Sequence, residues 1–143
     1  AGITSYIPKC LEPFRKDKMP MEEIFFHRYQ MWIDGNATSY SKSGWRLYTG
    51  STVFKEDSDY VQWYFQDLRP WVHYIPIDKG LNNLVERLIE VQENETLGQE
   101  VASNGRAFAI SHISSSSIRE YMMALIREYL CCPVTSFCEK CQR

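Results

Sequence analysis

Polar and apolar residues alternate in the first half of the chain and recur at helical spacing in the second. RYQMWI (28–33) alternates up to the turn pair Asp34-Gly35, which predicts a strand. A loop of small polar residues, NATSYSKSG (36–44), follows, then GWRLYTG (44–50) as a short helix or turn. STVFK (51–55) and WVHYIPI (71–77) read as two further strands. Between them, Asp57 or Ser58 is placed to cap a helix with Tyr60, Trp63, Tyr64 and Leu68 on its aromatic face, ended by Pro70. MPMEEIFFH (19–27) suits a short helix starting near Pro20, with Glu22 and Glu23 in its first turn. Beyond residue 78, Leu81, Leu84, Leu88 and Val91, with Val85, form one helical face opposite Glu86, Arg87 and Glu90. Thr96 is the predicted cap of a helix through Ala102. Asn104-Gly105 predicts a break or bend, after which Phe108 and Ile110 return to the core. Ser117 and Glu120 match a capping box, and the helix they start aligns Ile118, Tyr121, Met122, Leu125 and Tyr129. Pro133 ends that helix.

The order strand, loop, helix, strand, helix, strand predicts an α/β fold with a Rossmann-like parallel sheet and flanking helices. In such sheets ligands bind outside the carboxyl ends of the strands, here the loop after residue 33. The loop offers hydroxyls, backbone amides and cations, a set that suits phosphate at a helix start. Its candidate ligands are Gly35, Ser39, Tyr40, Lys42 and Arg46, with Gly50 and Ser51 at the entry to the next strand. It contains no pair of carboxylates to anchor a divalent cation, so no metal is expected. Asp34 reads as a turn former, His73 as a histidine satisfied by a hydrogen bond inside a strand, and Trp71 and Tyr74 as core.

Length and charge narrow the partners. At 143 residues the chain is one domain or part of one. Its net charge of −2 argues against nucleic acid as the main partner. No apolar run approaches the ~20 residues of a membrane span, and AGITSYIPK at the start lacks a signal-peptide core. Four of the five cysteines (Cys10, Cys131, Cys132, Cys138 and Cys141) crowd the tail. The CxxC of Cys138 and Cys141 fits a local disulfide in an oxidising lumen, half of a zinc site or a redox pair. Sequons occur at Asn36 and Asn94. A glycan on Asn36 would block the proposed ligand loop, so Asn94, at a helix junction, is the better acceptor.

Taken in order, DGNATS, LYTGSTVFK, LRPWVHYIPI, LNNLVERL and VASNGRAFA resemble the C-terminal part of glycosyltransferase family 90 over about residues 28–129. The family includes protein O-glucosyltransferases and capsule xylosyltransferases. The resemblance implies the nucleotide-sugar half of a GT-B enzyme that uses a UDP-sugar as donor substrate without a separate cofactor. It also implies inverting, metal-independent transfer to a hydroxyl of a protein or glycan in the endoplasmic reticulum or Golgi lumen. The acidic base that deprotonates the acceptor belongs to the N-terminal half, outside this chain. The chain is then a single partial domain, with a lead-in over 1–27, the donor part over 28–130 and a cysteine-rich tail over 131–143. The loop Gly35–Tyr40 resembles the segment whose amides approach the diphosphate. An Arg usually follows the loop aromatic in this family. Here Ser41 holds that place, so the cation for the leaving group falls to Lys42 or Arg46, or the loop aligns with a one-residue shift. Loss of that Arg also fits an alternative, a catalytically inactive module that binds a nucleotide or a partner.

Overall fold

The computed structural model describes residues 19–34 and 44–131. The elements are α1 (Met21–Ile24), β1 (Tyr29–Trp32), α2 (Trp45–Tyr48), β2 (Thr52–Glu56), β3 (Ile75–Ile77), α3 (Leu84–Glu93), α4 (Glu95–His112) and α5 (Ser115–Cys131). The strands form one sheet in the order β1-β2-β3, and both pairings are parallel. The register sets Trp32 opposite Lys55 and Phe54 opposite Ile75. The sheet is therefore the α/β, parallel arrangement that the alternation predicts.

Alternation along β2 divides the core. Val53 joins Trp32, Leu47, Tyr64, Leu68, Phe108 and Ala109 on one side. Phe54 joins Ile75, Ile77, Val91 and Val101 on the other. With both faces covered, four of the five residues of β2 are buried, as in the central strand of a parallel sheet. Helix α4 packs against both α2 and β2. Two glycines permit close approach along α4, Gly105 to the turn before β3 and Gly98 to α3. A Cβ on Gly105 would lie 2.6 Å from the His73 carbonyl oxygen, and one on Gly98 would lie 2.9 Å from Val91 Cγ1.

Several local expectations are overturned. The segment 58–69 forms no helix. It is a run of i→i+3 turns, Phe65 to Gln62, Asp67 to Tyr64 and Leu68 to Phe65, and among the described residues Ser58 Oγ accepts from the Tyr60 amide without starting a helix. Successive rings Trp63, Tyr64 and Phe65 meet edge to face at 5.4 and 5.2 Å, and these contacts fix the turns. The third strand starts at Ile75, not Trp71, because Trp71 adopts φ +63° in a turn closed by its amide on the Tyr74 carbonyl (2.8 Å). Leu81, at φ +65°, precedes α3 instead of joining it, and Val85 is 68% exposed, outside the core face.

Helix α4 runs through Asn104-Gly105 without a break, because Gly105 serves close packing there. Its cap is Asn94, whose Oδ1 accepts from the Leu97 amide (3.2 Å), in place of Thr96. In this unbroken helix Phe108 faces the core and Ile110 turns outward. Helix α5 begins two residues before Ser117, and the Ser114 hydroxyl accepts from the Ser117 amide (3.3 Å). Its apolar stripe meets the fold where Tyr121 stacks on Trp63 at 4.6 Å, while Met122, Leu125 and Tyr129 are exposed.

Candidate functional site

The parallel sheet directs the carboxyl ends of its strands to one edge, and the chain leaves β1 there through Ile33 and Asp34. Gly35, Ser39, Tyr40 and Lys42 lie outside the described residues, as do the Asn36 sequon, Pro133 and the tail cysteines from Cys132 on. Cys10 and the lead-in to residue 18 lie outside them too. The described chain resumes at Gly44 and enters α2, which carries Arg46.

Two cations lie within reach of the Asp34 charge. Both Asp34 carboxylate oxygens are buried and have no hydrogen-bond partner among the described residues. Lys55, 7% exposed, projects from β2 into a ring of aromatics. Its Nζ lies 4.8 Å from the centroid of Phe65, 5.5 Å from that of Trp32 and 5.7 Å from that of Tyr74, and it donates to the Glu56 carbonyl (3.1 Å). Burial lowers the Lys55 pKa from its ordinary value, while the charges of Asp34, Asp57 and Glu56 oppose that shift. Arg46 is affected the same way: burial lowers its pKa and Asp34 opposes. Its guanidinium also lies 5.1 Å from the Trp45 ring centroid. A buried carboxylate thus acts on two partly desolvated cations, and the electrostatics at this edge change if an anion arrives. Trp32 Nε1, a buried donor beside Lys55, is also unpartnered among the described residues.

Gly50 and Ser51 sit elsewhere. They precede β2 at the amino-terminal edge, away from Asp34. The Ser51 hydroxyl donates to the His27 carbonyl (2.6 Å) and accepts from Gln30 Nε2 (3.1 Å) and Thr49 Oγ1 (2.9 Å), so its hydrogen-bonding capacity is used by the fold. Gly50 takes φ +73°, a turn geometry suited to glycine. Of the seven candidates, Arg46 is the one among the described residues that the Asp34 charge reaches, whereas Gly50 and Ser51 stand at the other edge. An open cleft of about 480 Å³ does line this amino-terminal edge, with Arg28, Gly50, Ser51 and Arg106 among its walls.

His73 is no strand residue. It lies in the turn before β3, and its Nδ1 accepts from the Arg69 amide (2.9 Å), the satisfied histidine that the sequence predicts. Its ring packs on Phe108 at 4.7 Å, and Phe108 stacks on His112 at 4.4 Å. Burial, then the charges of Arg69 and His112, lowers its pKa. Trp71 and Tyr74 are half-buried and pack against the core. Sequence reasoning took Asp34 for a turn former and gave Lys55 no role at the site. The available signal was an acid at the end of a parallel strand followed by a ligand loop.

A model of the family described as glycosyl transferase family 90 matches residues 9–132. Protein O-glucosyltransferase 2 of Danio rerio is 32% identical over 107 residues, 75% of this chain and 21% of that protein. Protein O-glucosyltransferase 1 of Rattus norvegicus is 39% identical over 80 residues, 56% of this chain and 20% of that protein. Protein O-glucosyltransferase 3 of Homo sapiens is 28% identical over 132 residues, 90% of this chain and 26% of that protein. The chain thus spans a fifth to a quarter of the length of these relatives.

Proposed function

The chain belongs to glycosyl transferase family 90, and we propose that it forms the donor-binding part of an enzyme that moves glucose or xylose from a UDP-sugar to a protein or glycan hydroxyl. The observation that carries this reading is the charged carboxyl edge. Asp34 and Arg46 stand on either side of the loop 35–43 in the chain, and the Asp34 charge opposes the burial that lowers the pKa of Arg46 and of Lys55 on β2. Two cations in low dielectric favour a dianionic leaving group far more than the same charges in bulk water would.

The acceptor oxygen attacks the anomeric carbon of the donor from the face opposite the diphosphate. The bond from that carbon to the β-phosphate oxygen breaks, the configuration inverts, and UDP leaves with the bonding pair. The acceptor proton passes to a base supplied from outside residues 1–143. Loop amides around Gly35 and Ser39, with Tyr40 alongside, hold the diphosphate, and Lys42 or Arg46 neutralises the charge that grows as the bond breaks. Lys55 contributes positive potential from behind, and the Asp34 charge favours the protonated form of both described cations. Neutralisation by side chains makes a divalent metal dispensable, because the loop has no carboxylate pair for one. The N-terminal half of the same enzyme completes the cleft, and the reaction takes place in the endoplasmic reticulum or Golgi lumen.

The full-length protein, incubated with UDP-glucose or UDP-xylose and an acceptor protein in EDTA, should transfer sugar and give an inverted anomer by NMR. Transfer abolished by EDTA and restored by manganese would refute metal independence. No transfer from either donor, with UDP still bound, would favour the second reading, a module that binds nucleotide without catalysis. Ser41, standing where the family usually has Arg, supports that second reading.

A further inference from the structure

The sequon Asn94-Glu95-Thr96 lies at the junction of two helices on the far side of the sheet from the proposed donor loop. Helix α3 starts after the carboxyl end of β3 and runs back, so Asn94 emerges at the amino-terminal edge. Two contacts fix that position. Glu95 pairs with Arg28, just before β1, at 2.8 Å, and the Gly98 carbonyl accepts from Thr52 Oγ1, at the start of β2, at 3.0 Å. Asn94 and Thr96 are both exposed. The Asn94 side chain uses its oxygen to cap α4, accepting from the Leu97 amide at 3.2 Å, and its Nδ2 makes no hydrogen bond among the described residues. An N-linked glycan occupies only that nitrogen and leaves the capping oxygen free to accept. Beside Asn94 an open cleft of about 490 Å³ runs along α3 past Glu86, Ile89 and Glu93. Val85 and Ile89 present apolar surface on this helix, 68% and 47% exposed.

We infer that Asn94 carries an N-linked glycan that covers the exposed side of α3 and leaves the donor edge open. The inference rests on the lumenal location in the proposed function. In the modification, Asn94 Nδ2 attacks the anomeric carbon of a lipid diphosphate-linked oligosaccharide. The carbon–oxygen bond to the diphosphate breaks, the lipid diphosphate departs with the electron pair, and Nδ2 gives up one proton. Asn36 has the same kind of sequon but belongs to the proposed donor loop, where a glycan would meet the donor.

The test expresses full-length protein in a eukaryotic secretory system, with protease protection in isolated microsomes read alongside. Enzymatic glycan removal in heavy-oxygen water followed by peptide mapping should mark residue 94 as a labelled aspartate. Thr96→Ala, which spares the Asn94 cap, should lose the mark, Thr96→Ser should retain it, and Asn36→Gln should leave it unchanged. A microsome-protected protein unmodified at 94 overturns the inference while the location reading stands. A protein that is not protected overturns both.

Discussion

Replacing Gly105 with Ala tests the close contact that seats α4 on the sheet. In an ordinary exposed helix this change would stabilise by about 1 kcal/mol through helix propensity. Here the new Cβ would stand 2.6 Å from the His73 carbonyl oxygen and 3.2 Å from Leu47 Cδ2. A carbonyl fixed in the turn before β3 cannot rotate away, so α4 must retreat by several tenths of an ångström. Buried Val101, Phe108 and Ala109 would move with it. Overpacking of this kind costs about 1–3 kcal/mol, and a backbone obstacle puts it at the upper end, for a net loss near 2 kcal/mol. Gly98→Ala is the matched control in the same helix. Its Cβ meets the Val91 side chain at 2.9 Å, which can turn at about 0.5–1.5 kcal/mol and nearly cancel the propensity gain. Urea unfolding of the chain, followed by tryptophan fluorescence, should show a lower midpoint for Gly105→Ala at unchanged slope and little shift for Gly98→Ala. If both variants gain about 1 kcal/mol, the packing of α4 described above is wrong.

Other expectations follow from burial and charge. Ile75→Ala, at a fully buried position, should cost about 2–5 kcal/mol in the same assay, whereas Val85→Ala should stay within about 0.5 kcal/mol. His73 has a folded pKa below its ordinary 6.5, so the unfolded chain binds more protons between the two values and stability falls as pH drops through 6.5. His73→Asn keeps an acceptor for the Arg69 amide, and its melting temperature should fall less on acidification than that of the parent; an equal fall would assign the pH dependence to other groups.

The parts of the fold that depend on local pattern could be read from the chain. Alternation in 28–33 and 51–55 marked β1 and β2, and the Leu84-Leu88-Val91 spacing marked α3. What failed depended on contacts between distant residues. Tyr60, Trp63, Tyr64 and Leu68 look like a helical face, but Trp63 and Tyr64 meet ring neighbours within the folded turn and Phe65 meets Trp32 of β1, and those contacts override the periodicity. Gly105 looks like a helix breaker because its neighbour, the His73 carbonyl, is more than thirty residues away in the chain. The site followed the same division. The strand order could be read from the chain and puts Asp34 after the carboxyl end of β1, while the link between Asp34 and Lys55 depends on a register that pairs Trp32 with Lys55. Gly50 and Ser51 lie close to the loop in sequence, but one crossing of α2 places them at the other edge of the sheet.

The central claim is that the carboxyl edge binds a diphosphate through Lys42 or Arg46. Calorimetric titration of UDP and of uridine into the full-length protein and its Lys42→Ala and Arg46→Ala variants tests it most directly. A charge-assisted hydrogen bond is worth about 1.5–3 kcal/mol, so at least one variant should bind UDP roughly 10- to 100-fold more weakly. Uridine, which lacks the charged group, should bind all three proteins alike. If both variants bind UDP as tightly as the parent, the diphosphate does not sit at this loop.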